Sequence, residues 1–256
     1  MISIKTQEDI EILREAGKRL AFVLESVSRC VVAGVSTEKL NSIAEEMIKK
    51  NGDIPSFLGY SPDGASRPYP ATLCTSINDE VVHGVPNTNP RILKEGDIIT
   101  IDCGLTHKKR IVDSAITVSV GMIDKKAKEL MSVTKRALAL GIGAAQAGNT
   151  VGDIGYAIEQ YVKQSRFGIV RELGGHGVGY EVHEDPHIFN FGKRGTGATL
   201  KPGMVLAIEP IITEGGEDII LGDDGFTLKT KDGSRAAHEE HTVVVTDSDA
   251  EILTQE

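Results

Sequence analysis

The sequence predicts an α+β fold built from two related halves around a pseudo-twofold axis. Three observations predict it. Hydrophobic residues make up 40% and charged residues 25% of the 256-residue chain, an ordinary globular balance. Helix-like stretches precede strand-like runs in each half, which favours segregated helices and strands over an alternating βαβ parallel sheet. Finally, four short motifs recur in the same order. Ala33-Gly-Val-Ser36 is echoed by Ala147-Gly-Asn-Thr150, and Val82-His83-Gly-Val-Pro86 by Val182-His183-Glu-Asp-Pro186. Leu93-Lys-Glu-Gly-Asp-Ile-Ile-Thr-Ile-Asp102 is echoed by Leu200-Lys-Pro-Gly-Met-Val-Leu-Ala-Ile-Glu209, and Asp113-Ser-Ala-Ile-Thr-Val118 by Glu240-His-Thr-Val-Val-Val245. One echo is chance; four in order indicate a duplicated α–β unit, divided near Gly121.

The elements follow in order. Residues 7–29 and 37–50 carry apolar positions at helical spacing, the second capped by Ser36 and facing inward through Leu40, Ile43, Met47 and Ile48. Strands are predicted over 97–102 and 113–120, where β-branched residues cluster. The second half repeats the plan. Helices are predicted over 124–145 and 151–164, the latter capped by Thr150 and buried through Ile154, Ile158, Tyr161 and Val162. Strands follow over 204–212 and 240–246. The proline-rich stretch 61–70 reads as a loop, as do 191–197 and 215–225. Nothing resembles a flexible tether, so 1–256 reads as one domain with halves of approximately 1–121 and 122–256.

Composition excludes several classes. No apolar run is long enough to span a membrane. The first ten residues carry acids where a signal peptide needs an apolar core, so no export is expected. Cys30, Cys74 and Cys103 are odd in number and widely spaced, which fits a reducing, cytoplasmic setting rather than a disulfide framework. A net charge of −9 argues against direct nucleic-acid binding through bulk electrostatics.

The repeat places two acids in each half: Asp102 and Asp113, then Glu209 and Glu240. Each sits beside a strand-like apolar run, where an unpaired carboxylate is expensive. Any one alone reads as a solvated strand-end acid. As a set kept across the repeat, they read as a buried cluster needing counter-charge, which two divalent ions supply. Glycines surround His176 in Gly174-Gly-His-Gly-Val-Gly179, leaving room for a close approach. His183 matches His83 of the first half. These three histidines read as functional, whereas His107, His187 and His238 read as structural. There is no His-Glu-x-x-His helix, no dinucleotide fingerprint, no P-loop and no Gly-x-Ser-x-Gly elbow.

The ordered set Val-His83-Gly-Val-Pro, Ile-Asp102-Cys-Gly, Asp113, Gly-His176-Gly-Val-Gly, His183-Glu-Asp-Pro, Ile-Glu209-Pro and Glu240-His-Thr-Val resembles the type I methionine aminopeptidases over almost the whole chain. The resemblance implies a pita-bread fold, two pseudo-twofold-related α–β halves around a central antiparallel sheet. It implies removal of N-terminal methionine from peptides and nascent chains at the ribosome, with a small second residue preferred, by a monomer. It implies a dinuclear centre of Asp102, Asp113, His176, Glu209 and Glu240, holding two ions among cobalt, manganese, iron and zinc. An oxygen-rich set with one imidazole suits such ions better than a thiolate site does. Glu209 is implied as general base, His183 as the group polarising the scissile carbonyl, and His83 as a contact to the scissile amide. Tyr60, Tyr69, Cys74 and Phe226 are implied to line the methionine pocket.

The chain departs from that pattern in places. Ile111-Val112 precedes Asp113 where many type I enzymes carry an aromatic or His-Gly, and Phe57 precedes Leu-Gly-Tyr60 where many carry cysteine. A short insertion follows in the 61–68 loop, and Phe226 stands where tryptophan is common. Ile2 is too large for the family's preference, so the chain is expected to keep its own methionine. Two other readings compete. A proline-dipeptide hydrolase of the same fold would carry Arg-x-Glu-Asp at the last glutamate, where this chain has Ala237-His-Glu-Glu240. A binding protein that lost catalysis would lack a ligand, and all five are present.

Overall fold

The computed structural model describes residues 1–61 and 67–255. Among them are four helices, α1 (Gln7–Ser28), α2 (Thr37–Lys50), α3 (Lys125–Ala144) and α4 (Val151–Val162). In the first half lie strands β1 (Ile54–Pro55), β2 (Leu73–Ile77), β3 (Glu80–Val82), β4 (Ile98–His107) and β5 (Arg110–Ser119). Then come β6 (Gly168–Ile169), β7 (Gly174–Gly177), β8 (Glu184–Phe189), β9 (Val205–Ile208) and β10 (Ile211–Thr213). The last are β11 (Ile219–Leu221), β12 (Leu228–Thr230), β13 (Ala236–His238), β14 (Glu240–Val244) and β15 (Glu251–Ile252). The predicted helices match within a residue or two.

The helices begin where hydrogen-bonding side chains can take up free N–H groups. Thr6 and Asp9 cap one another at α1, Ser36 accepts from Lys39 N at α2, and Asp124 accepts from Ala127 N at α3. At α4 the hydroxyl and N–H of Thr150 both donate to Asp153.

The main sheet has nine strands, all paired antiparallel, with β1-β4-β5-β14-β9-β7-β8 in line, β2 also on β4 and β15 on β14. The order is symmetric about the β5–β14 seam: β2-β4-β5 on one side, β7-β9-β14 on the other. This is the duplicated unit that the echoes predict. One face of the sheet packs on the helices. Ile99, Ile101, Cys103, Leu105 and Val112 join Leu13, Leu20, Val23 and Leu40 in one core, and Leu206, Ile208 and Val243 join Leu130, Ile154 and Ile158 in another. The other face is left for the site. Two three-stranded sheets, β13-β10-β6 and β11-β12-β3, complete the fold. No helix among the described residues is long and apolar enough to cross a membrane.

Three expectations are corrected. The strand predicted over 97–102 runs on to His107, so Asp102 stands in mid-strand and not at its end. Gly104 resembles a breaker but is required by packing, since a Cβ there would lie 2.8 Å from the Phe57 ring. The hairpin closes at Lys108 and Lys109, both at positive φ, the twist that two-residue hairpin turns need. The stretch 204–212 is two strands. Pro210 cannot donate to a ladder, and the chain changes sheet there, leaving Glu209 at the break. The loop predicted over 215–225 contains β11, a short strand hidden between glycine and acid residues that pairs with β12. The 61–68 insertion lies mostly outside the described residues.

Candidate metal centre

Antiparallel register brings the acids together on the face of the sheet left for the site. Asp102 on β4 is opposite Ala115 on β5, and Ala115 is opposite Glu240 on β14. Asp113 is two residues from Ala115 and shares its face. On the other side of Asp102, β2 supplies Cys74. His176 on β7 is opposite Ala207 on β9, two residues before Glu209. Ala115 and Ala207, both fully buried, put only a methyl group beside these side chains. Gly175 and Gly177 serve packing: a Cβ on either would lie 2.2 Å from a carbonyl oxygen, Ala207 for one and Asp185 for the other. They let β7 sit tightly between β8 and β9, with His176 projecting toward the acids.

The result is a cavity of about 670 Å³ lined by Asp102, Asp113, His176, Glu209 and Glu240, and also by His83, His183, Tyr60, Tyr69, Cys74 and Phe226. Every residue predicted for the site therefore borders one cavity. Ligand atoms of Asp113, His176 and Glu240 all lie within 4.8 Å of one another. His176 Nε2 is 3.5 Å from Glu209 Oε1, and its Nδ1 lies 2.9 Å from the Gly177 carbonyl. With that carbonyl accepting from Nδ1–H, Nε2 is left with a free lone pair, the state a ligand needs.

His238 is the residue that sequence reasoning misplaced. It is buried, and neither ring nitrogen has a hydrogen-bond partner. Its Nε2 faces Glu209 Oε2 at 3.4 Å and Glu240 Oε2 at 3.8 Å. It lies two residues before Glu240, and that spacing was the available signal. His187 also borders the cavity, at the mouth. His107 is structural as expected, its Nδ1 2.7 Å from Asp53 Oδ1 away from the cavity.

The electrostatics of this site are unusual. Burial pushes Asp113 up to about 7. Burial, and next the nearby Asp113 charge, hold Asp102, Glu209 and Glu240 well above the carboxylate range. The imidazoles move the other way. Burial, then the neighbouring histidines, lower His176 and His238 to about 3. The ring of His83 is open to the cavity but enclosed by protein behind it, and it falls to about 4. Asp102 Oδ1, Asp113 Oδ1 and Glu240 Oε1 are buried without a hydrogen-bond partner. No lysine or arginine is among the described residues lining the cavity. Orphaned acid oxygens, neutral imidazoles and no resident cation make a donor set that fits divalent metal ions, whose charge would compensate these acids.

The remaining wall is apolar. Phe57, Tyr69, Cys74, Val85 and Val182 form a buried cluster, with Tyr60 and Phe226 against it. Tyr69 meets the Phe226 ring edge-on at 5.3 Å and donates to the Leu73 and Gly84 carbonyls. Cys103, next to Asp102 in sequence, is in the core on the opposite face of β4, as strand alternation requires. His183 stands at the mouth, its Nδ1 2.7 Å from the Tyr60 hydroxyl and its ring 4.4 Å from that of His176.

Residues 11–247 match metallopeptidase family M24. A methionine aminopeptidase of Clostridium acetobutylicum is 43% identical over 254 residues, covering 99% of each chain. One from Aquifex aeolicus is 44% identical over 258 residues, again covering 99% of each. The crystal structure of methionine aminopeptidase from Thermotoga maritima superposes with a TM-score of 0.95 at 41% identity over the whole of both chains. A prolidase from Pyrococcus furiosus shares the fold with a TM-score of 0.75 at 25% identity, over 99% of this chain and 65% of its own. The shared architecture is the pita-bread fold that the resemblance implied. The chain belongs to metallopeptidase family M24 and, within it, to the methionine aminopeptidases.

Proposed function

We propose that this chain, acting as a single catalytic domain, removes N-terminal methionine from peptides and nascent proteins whose second residue is small. The observation that carries the reading is the join between an oxygen-rich acid cluster, with no lysine or arginine among the described lining residues, and an apolar wall within one cavity. The short interval between His176 and Glu209 supports the type I branch. Asp102, Asp113, His176, Glu209 and Glu240 would hold two divalent ions, of cobalt, manganese, iron or zinc. Bound there, the ions would supply counter-charge and Lewis-acid activation of water.

The chain's own groups do the rest. The Glu209 carboxylate borders the cavity and is the group suited to take and return a proton. With the Tyr60 hydroxyl donating to His183 Nδ1, His183 Nε2 carries the proton and can donate to the scissile carbonyl oxygen as charge builds there. Burial keeps His83 neutral near pH 7, so it can accept from or donate to the scissile amide. Phe57, Tyr60, Tyr69, Cys74 and Phe226 would hold an unbranched apolar side chain.

Three free cysteines support a reducing compartment such as the cytoplasm, where nascent chains emerge. We infer a monomer that meets them at the ribosome without reading nucleic acid. The test is release of free methionine from Met-Ala-Ser by metal-stripped protein, with and without manganese or cobalt, beside an Ala-Pro peptide. Metal-dependent cleavage of Met-Ala-Ser alone is expected. Cleavage of the proline peptide alone moves the chain to the prolidase side of the fold. Cleavage of neither, with metal bound, overturns the enzymatic reading.

A further inference from the structure

The segment that presents His183 is held from outside the cavity by the first five residues of the chain. Glu184 follows His183 directly. Its Oε1 accepts from the backbone N–H groups of Tyr180, at 2.6 Å, and Glu181, at 3.2 Å. Its Oε2 accepts from Lys5 Nζ at 2.7 Å and from the Ser3 hydroxyl. One carboxylate thus closes the turn ahead of His183 and ties it to the N-terminal segment. The pair is secluded: the Lys5 side chain is 1% exposed and that of Glu184 9%.

Lys5 is itself fixed. Its N–H donates to the Gly203 carbonyl, and its ammonium lies 4.8 Å from the centre of the Tyr180 ring. Gly179 has φ +135°, and a Cβ there would lie 2.5 Å from Lys5 Cε, so the turn is shaped around the lysine. Tyr180 is anchored in turn through its hydroxyl, which donates to Asp9 at 2.7 Å, and Arg110 also donates to Asp9. The Met1 ammonium meets Asp185 at 2.7 Å, an exposed pair that adds little.

We propose that Lys5 is a positioning residue for His183, the N-terminal segment acting as a strap that holds the Glu184 turn and so aims the imidazole at the cavity. The proposal rests on the assignment of His183 to the reaction. A structural clamp alone would affect stability. A strap that aims His183 must affect turnover through that ring and no other.

The test compares manganese-loaded wild type, Lys5→Met, Lys5→Arg, His183→Ala and the Lys5→Met/His183→Ala double variant on Met-Ala-Ser. Melting curves and metal content are measured for each. Lys5→Met is expected to lower kcat about tenfold with KM changed less than about twofold. Lys5→Arg, which keeps the charge, is expected to recover most of that loss. The double variant is expected to be no slower than His183→Ala, because both changes act through one ring. In the metal-free protein, the His183 ring resonances are expected to shift in Lys5→Met and return in Lys5→Arg.

An additive loss in the double variant overturns the proposal, as does wild-type turnover in Lys5→Met or a loss that tracks metal content. If Lys5→Met does not fold, Ser3→Ala replaces it in the same cycle with the same expected non-additivity. Wild-type turnover in His183→Ala removes the assignment on which the proposal rests. A slow His183→Ala beside a fast Lys5→Met removes the strap alone.

Discussion

Glu209 is the side chain on which the proposed chemistry turns, and its position explains why. Pro210 ends the β9 ladder immediately after it, and the carboxylate faces His176 and His238 at 3.5 and 3.4 Å. Glu209→Gln keeps the shape and removes the proton acceptor. Turnover of Met-Ala-Ser is expected to fall by roughly a thousandfold or more, on the scale of general acid–base catalysis, while the circular dichroism spectrum stays unchanged. Tyr60→Phe is a milder test. It removes the hydroxyl that meets His183 Nδ1, and kcat is expected to drop about fivefold for one lost hydrogen bond. At this scale the sequence was largely legible, because the repeat kept a carboxylate wherever its neighbours changed. His238 was not, since it has no counterpart in the first half's echo. Only strand alternation from Glu240 pointed to it.

Helices were more legible than strands, for a physical reason. Each helix writes its buried stripe and its cap into a dozen or more consecutive residues. The short strands β3, β7 and β11 carry three or four residues each, too few to write a clear alternation, and the partner of β3, β12, is far away in the chain. Gly104 shows how a strand disguises itself. It is opposite Asp113 in the β4–β5 hairpin and makes room for the Phe57 ring. Gly104→Val would press on that ring, which borders the cavity. Overpacking of this kind costs about 1–3 kcal/mol, so the melting temperature is expected to fall by several degrees. KM for Met-Ala-Ser is expected to rise with it, because Phe57 borders the same cavity. A variant that loses stability with an unchanged KM would separate Phe57 from substrate binding.

For the molecule as a whole, the acid cluster makes metal loading a matter of stability. Asp113 has an ordinary value of 3.8 and is raised to about 7 in the folded, metal-free chain. At Asp113 the folded state therefore binds more protons than the unfolded state between about pH 4 and pH 7. Its contribution to stability falls as pH rises through that window, and Asp102, Glu209 and Glu240, raised for the same reason, extend the effect upward. Below about pH 6.5 the lowered histidines His83, His176 and His238 oppose this, because the unfolded chain protonates them and the folded chain does not. Melting of chelator-treated protein is therefore expected to occur at progressively lower temperature from about pH 6.5 to pH 8. Added manganese is expected to cancel the slope and raise the midpoint, since an ion bound only to the folded state stabilises it. A flat profile without metal would mean that the acids are compensated in some other way.

The seam between β5 and β14 has a consequence for ancestry. Antiparallel pairing of two equivalent strands across a twofold axis is how identical subunits join sheet to sheet. Here β5 and β14 are equivalent strands of the two repeats, and they meet in that manner with Asp113 on one and Glu240 on the other. A progenitor half this length would have placed its own acid strand against that of a second copy and joined its acids to that copy's across the boundary. Fusion of two such genes would have freed the copies from matching one another. Drift could then add His176 to one half while both kept their paired acids, giving a symmetric cradle two unlike ends.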